Sequence, residues 1–243
     1  MGTPNPTAGR RPGSLDLEEA LSCLFWAVAG FFQQGLVAGW LRSVGGVPVW
    51  LGLVAGQVVF QGFVVASFLR VHRGRGRGWT TAFLDPARTP GKEFGIGVLA
   101  GLAFLPAAYG LQAVASLFFQ SLGLEVPAQN SVEILRQAGA SGRFWLYLTA
   151  GVGAPIAEEI LFRGVLFRTV RDRGFPTLAL LGTAVLFGVI HFNLGALVPL
   201  TAFGLLLALL TDRTGGLLAP IAAHMTFNAA PFVLLQLGVD FGK

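Results

Sequence analysis

Apolar residues in this chain come in long blocks divided by short polar, Gly- or Pro-rich breaks. A helix rises 1.5 Å per residue, so about 20 apolar residues cross roughly 30 Å of hydrocarbon. Blocks of this kind are read at 20–41, 47–69, 94–122, 144–167, 177–191, 196–210 and 217–237. The fifth and sixth are short, which predicts tilt, kinks or partial insertion, and there is room for an eighth, re-entrant piece. Met1–Leu15 is rich in Pro, Gly and Arg and reads as a loose tail, while Asp16, Glu18 and Glu19 suit the first turn of a helix. The first block is too long for a signal-peptide core and no small-residue cleavage pattern follows it, so it reads as a retained span. The predicted organisation is a tail over 1–19 and an all-α, polytopic transmembrane helical bundle of about seven spans over 20–243.

Composition supports the same class. Of 243 residues 53% are hydrophobic and only 12% charged, whereas soluble domains carry about a quarter. The net charge of +5 reflects loop orientation rather than a nucleic-acid partner. With the N-terminus inside, Arg10, Arg11, Arg70, Arg73, Arg75, Arg77, Arg88, Lys92, Arg168, Arg171, Arg173 and Arg213, or 12 of the 17 cations, lie on the cytoplasmic side. Arg42, Arg136, Arg143 and Lys243 face the other side, and Arg163 remains within a span. That asymmetry places the N-terminus in the cytoplasm and the C-terminus outside. The strong preference for Arg over Lys points to a prokaryotic plasma membrane. Cys23 stands alone, so neither a disulfide framework nor a thiolate metal site is available. Gly35/Gly39, Gly52/Gly56 and Gly97/Gly101 are pairs that permit close helix approach, read as packing within the molecule. His72, in the basic loop, reads as solvated.

Against this background the fourth block holds Pro155-Ile-Ala-Glu158-Glu159-Ile-Leu-Phe-Arg163. Each ionised group costs about 2.5 to 3.5 kcal/mol at the centre of a membrane helix, so this face must turn toward protein or a wet cavity. A step of about 100° per residue brings Arg163 roughly 40° from Glu159 and leaves Glu158 roughly 140° away. Glu159 therefore pairs with Arg163, and Glu158, without a local cation, is the candidate general base. The fifth block ends in Phe187-x-x-x-His191 and the seventh carries His224-x-x-x-Asn228, each pair on one helix face. At 1.5 Å per residue Glu158, His191 and His224 lie roughly 15, 21 and 11 Å from the cytoplasmic ends of their spans, depths that overlap once helices tilt.

These three motifs, in this order and over about Val152–Pro231, resemble the signature of the CPBP family of CAAX prenyl-proteases and bacteriocin-processing or self-immunity proteins; the matching core is taken as about 143–237. The resemblance implies an intramembrane endopeptidase acting on a peptide or membrane-protein substrate within the lipid bilayer. It implies that Glu158 and His191 position a water, that His224 and Asn228 stabilise the oxyanion, and that Phe187 packs beside His191. Members are often called metalloproteases, and Glu158, His191 and His224 are the candidate ligands for Zn²⁺ here, although the His-Glu-x-x-His pattern of zincins is absent. The alternative within the same fold is a non-catalytic scaffold or self-immunity protein. A rhomboid-like serine protease would use Gly139-Ala-Ser141-Gly142, which falls in an external loop, and a transporter would show an internal repeat that is not evident.

Overall fold

A computed structural model describes residues 15–75, 79–85, 87–124, 134–135 and 137–238. Residues 1–14, Arg77, Arg136 and Lys243 lie outside the described residues. The first helix, α1 (Leu17–Ser43), begins where the acidic cluster places it: Asp16 accepts the Glu19 N–H at 3.0 Å while the Glu19 carboxylate takes the Asp16 N–H at 2.9 Å, a reciprocal cap. The next helices are α2 (Val49–Gly74), the short α3 (Trp79–Phe83) and α4 (Pro90–Ser121). A long helical run, α5, covers 140–171 and is followed by α6 (Pro176–Val189), α7 (Leu194–Thr214) and α8 (Leu218–Gln236). All are helices, as the block pattern predicts. Among the described residues α1, α2, α4 and α7 are long and apolar enough to cross a membrane, and α6 and α8 are shorter apolar helices.

Two readings are corrected. The sixth block is not short: Asn193 caps the N-terminus of α7 by accepting the Ala196 N–H at 3.1 Å. At the other end Gly215 closes the helix in the left-handed region at φ 73°, a conformation that glycine adopts without steric cost. His72 is not solvated either. Helix α2 continues through the start of the basic loop, and its last turn puts His72 over Phe68, with ring centroids 4.3 Å apart and only 1% of the residue exposed.

Glycine stripes bring the helices together. A Cβ at Gly56 would lie 2.8 Å from the Gln34 carbonyl of α1, and one at Gly101 would lie 2.6 Å from the Ala223 carbonyl of α8. The pairs Gly52/Gly56 and Gly97/Gly101 are thus intramolecular seams, whereas Gly35 and Gly39 meet nothing within 4 Å. The outer surface carries large exposed apolar side chains such as Phe32, Leu99 and Leu117, a surface suited to lipid rather than water. Helix α5 is the central element, touching α1, α2, α6, α7 and α8. It buries Ala157 and Ile160 against Val64 and Phe68, and Phe162 against Phe187 and Phe203. Its polar residues therefore sit where the other helices converge.

Glu93, in the first turn of α4, is 2% exposed, and neither carboxylate oxygen has a hydrogen-bond partner among the described residues. A Cβ at Gly216 would stand 3.0 Å from one of these oxygens, so the loop closing α7 packs close to the carboxylate. Glu93→Gln is expected to raise the melting temperature in detergent at mildly alkaline pH, because it removes a charge that no donor meets. A lower value in thermal unfolding would contradict this.

Candidate active site

Pro155 shapes the local backbone of α5. It has no N–H and its ring crowds the preceding turn, and the helix widens there: residues Tyr147–Gly153 and Ile160–Phe167 form π turns on either side of the α-helical Ala154–Glu159. Such widened turns recur at functional sites. The Ala154 N–H goes to the Thr149 carbonyl, and Pro155 has no N–H to give to Ala150. Asn228 supplies one instead, its Nδ2 donating to the Ala150 carbonyl at 3.0 Å. Gln61 of α2 similarly donates to the Thr149 carbonyl at 2.9 Å and to Gln57 Oε1 at 3.0 Å. Gln57 and Gln61 have a sequence signal, an i, i+4 polar pair inside an apolar block, but no motif that gives them a role.

One turn further on, Glu159 and Arg163 form the expected ion pair at 2.9 Å, with both side chains wholly buried. Arg163 also donates to the Gly204 carbonyl of α7 at 2.8 Å and lies 4.8 Å from the Phe187 ring centre, a cation over an aromatic face. His224 of α8 contacts Glu159 as well, Nδ1 lying 2.8 Å from Oε1. The opposite nitrogen, Nε2, is 3.8 Å from Glu158 Oε2. The Glu158 side chain is 20% exposed, but its Oε2 is buried without a hydrogen-bond partner among the described residues. An unmet buried acceptor beside a histidine nitrogen is suited to holding a water or a substrate donor.

His191 follows the end of α6. Its Nδ1 donates to the Phe187 carbonyl at 2.7 Å, and the residue is exposed. Phe187, expected only to pack beside His191, is the common neighbour of the cluster. Its ring centre is 5.0 Å from that of His191 and 5.5 Å from that of His224. Glu158, Glu159, Arg163 and His224 thus meet directly, His191 joins through Phe187, and Asn228 stands one turn along α8 from His224. Among the described residues no three His, Cys, Asp or Glu side chains gather as a metal site, so Glu158, His191 and His224 as placed do not form the donor set considered for Zn²⁺. Ser141 is exposed near the start of α5, about 25 Å along the helix from Glu158, outside this cluster.

Residues 140–230, which include the whole cluster, match the family model described as Type II CAAX prenyl endopeptidase Rce1-like. Over these residues the chain is similar to the CAAX-type, or CPBP, family. The chain is 29% identical over 146 residues to the "Putative membrane peptidase YdiL" of Bacillus subtilis (strain 168), covering 60% of this chain and 59% of that protein. It is 40% identical over 83 residues to an "Uncharacterized 24.3 kDa protein" of Escherichia coli, covering 32% of this chain and 38% of the relative. The matches thus span less than two thirds of either relative. No solved structure matches the chain at a significant level.

Proposed function

We propose that this chain is an intramembrane endopeptidase in which Glu158 activates a water against a peptide bond. The observation that carries the reading is the Glu158 carboxylate itself: it forms no ion pair with Arg163, which Glu159 occupies, and one of its oxygens is buried with no hydrogen-bond partner among the described residues. Glu158 takes a proton as the water oxygen bonds to the carbonyl carbon and the carbonyl electron pair moves to oxygen. His191, with Nδ1 held by the Phe187 carbonyl, presents Nε2 to the same water. The negative oxygen faces Asn228, whose amide keeps one N–H beyond the one given to Ala150. A fixed donor of this kind is worth about 3 to 4 kcal/mol in a water-poor site. As the electron pair returns from oxygen, the C–N bond breaks and the amine nitrogen takes up the proton. The substrates proposed are membrane-associated proteins or peptide precursors.

The test is cleavage of membrane-anchored peptides by purified protein in lipid vesicles. Cleavage is the expected result. A folded protein that cuts none of them would favour a scaffold or self-immunity role, and solute flux into the vesicles would favour transport.

The basic loops are proposed to face the cytoplasm. Gly74 is exposed with nothing within 4 Å of an added Cβ, so Gly74→Cys should react with a membrane-impermeant thiol reagent from the cytoplasmic side, and Ser141→Cys only from the other. The reverse pattern would contradict the orientation.

A further inference from the structure

Oε1 of Glu159 receives two groups from different directions: Arg163 Nη1 at 2.9 Å from its own helix and His224 Nδ1 at 2.8 Å from α8. A carboxylate bound to a guanidinium only accepts hydrogen bonds, so the proton of this contact belongs to Nδ1 of His224. The ring has little room to do otherwise. It is 3% exposed and lies edge-on to Phe187 and Phe203, with both centroid distances 5.5 Å. Arg163 is itself anchored by the Gly204 carbonyl. A continuous chain of contacts therefore runs from the α7 backbone through Arg163, Glu159 and His224 to Glu158, and it ends with Nε2 facing Glu158 Oε2 at 3.8 Å.

We infer that Glu159 is a positioning residue that commits His224 to the Nδ1–H form, so that Nε2 serves as a second station for the proton Glu158 takes from water. The inference rests on the hydrolytic reading above and gives His224 a different task from the oxyanion role that the family resemblance implies. The gap of 3.8 Å is long for a hydrogen bond, and catalytic pairs of this kind tighten when substrate binds. In the step itself, water gives a proton to Glu158 as its oxygen bonds to the carbonyl carbon, and Glu158 passes that proton to Nε2. The resulting imidazolium is held against the Glu159 carboxylate. When the C–N bond breaks, Nε2 returns the proton to the amine nitrogen and the ring is neutral again. An acidic residue orienting a histidine in this way is the logic of the third member of a hydrolase triad.

The chain has three histidines, so ¹⁵N-histidine labelling of the detergent-solubilised protein yields three imidazoles, and His224→Gln identifies the one that matters. The expected spectrum, taken without substrate, shows His224 protonated at Nδ1 with a strongly deshielded proton. A bare Nδ1 with Nε2 protonated would overturn the inference. Because this measurement needs no substrate, it reads the positioning independently of whether any peptide is cleaved. A kinetic cycle completes the test. Glu159→Gln should lower kcat per folded molecule by about tenfold to a hundredfold with KM unchanged, and should cost nothing further in a His224→Gln background. Equal losses in both backgrounds would show that Glu159 does not act through His224. If Glu159→Gln does not fold, the wild-type spectrum alone decides the positioning.

Discussion

Glu158→Gln is expected to abolish peptide hydrolysis, by on the order of a thousandfold or more, while the protein melts at the wild-type temperature. The two halves of that result have separate causes. The carboxylate makes no hydrogen bond to a protein donor among the described residues, and it lies 3.8 Å from His224 Nε2. A neutral amide of nearly the same shape therefore leaves no partner stranded. The same amide cannot take a proton from water, so the chemistry stops. Wild type and variant would be purified in detergent, compared by thermal unfolding, and assayed per folded molecule on a cleavable membrane peptide. Retained turnover would remove Glu158 from its proposed role, and a markedly lower melting temperature would show that it holds the fold.

Glu159→Gln, one residue away, should do the opposite to stability. Arg163 is 0% exposed and, among the described residues, keeps the Gly204 carbonyl as its one hydrogen-bond acceptor once the carboxylate is gone, and breaking one side of a buried ion pair costs about 3 to 5 kcal/mol. The loss should appear as poor expression and a clearly lower melting temperature. Adding Arg163→Met to Glu159→Gln should recover part of it, because the double variant no longer buries a lone charge. Wild-type melting of the single variant would mean that the pair does little for the fold. No recovery in the double variant would mean that lost packing against Phe187, rather than stranded charge, sets the cost.

The contrast between these adjacent glutamates is legible in the sequence alone, because helix geometry puts Arg163 beside Glu159 and away from Glu158. The role of Glu159 toward His224 is not, since that contact joins residues 65 apart in sequence and no local periodicity encodes it. Long apolar blocks reveal the spans, but the polar ends of α7, Asn193 and the Thr211-Asp212-Arg213-Thr214 turn, make that block look shorter than the helix. Its hydrogen bonds continue to Gly215 regardless of hydropathy. The charge of its loop suggests solvent for His72, although the i, i+4 spacing from Phe68 already points to the packed face of α2. The widened turns of α5 leave only Pro155 as a sequence sign. Where the freed carbonyls find their donors, Gln61 from α2 and Asn228 from α8, depends on how three helices dock.

The claim at the centre of this reading is that water, activated at Glu158, adds to a peptide carbonyl within the bundle. It is tested most directly by letting the reconstituted protein act on a membrane-anchored peptide in ¹⁸O-labelled water and weighing the products. One heavy oxygen in the new C-terminal carboxylate, with no acyl group found on the protein during a single turnover and no product from Glu158→Gln, is the expected result. A covalent acyl-protein species, or the same labelled product from Glu158→Gln, would contradict it.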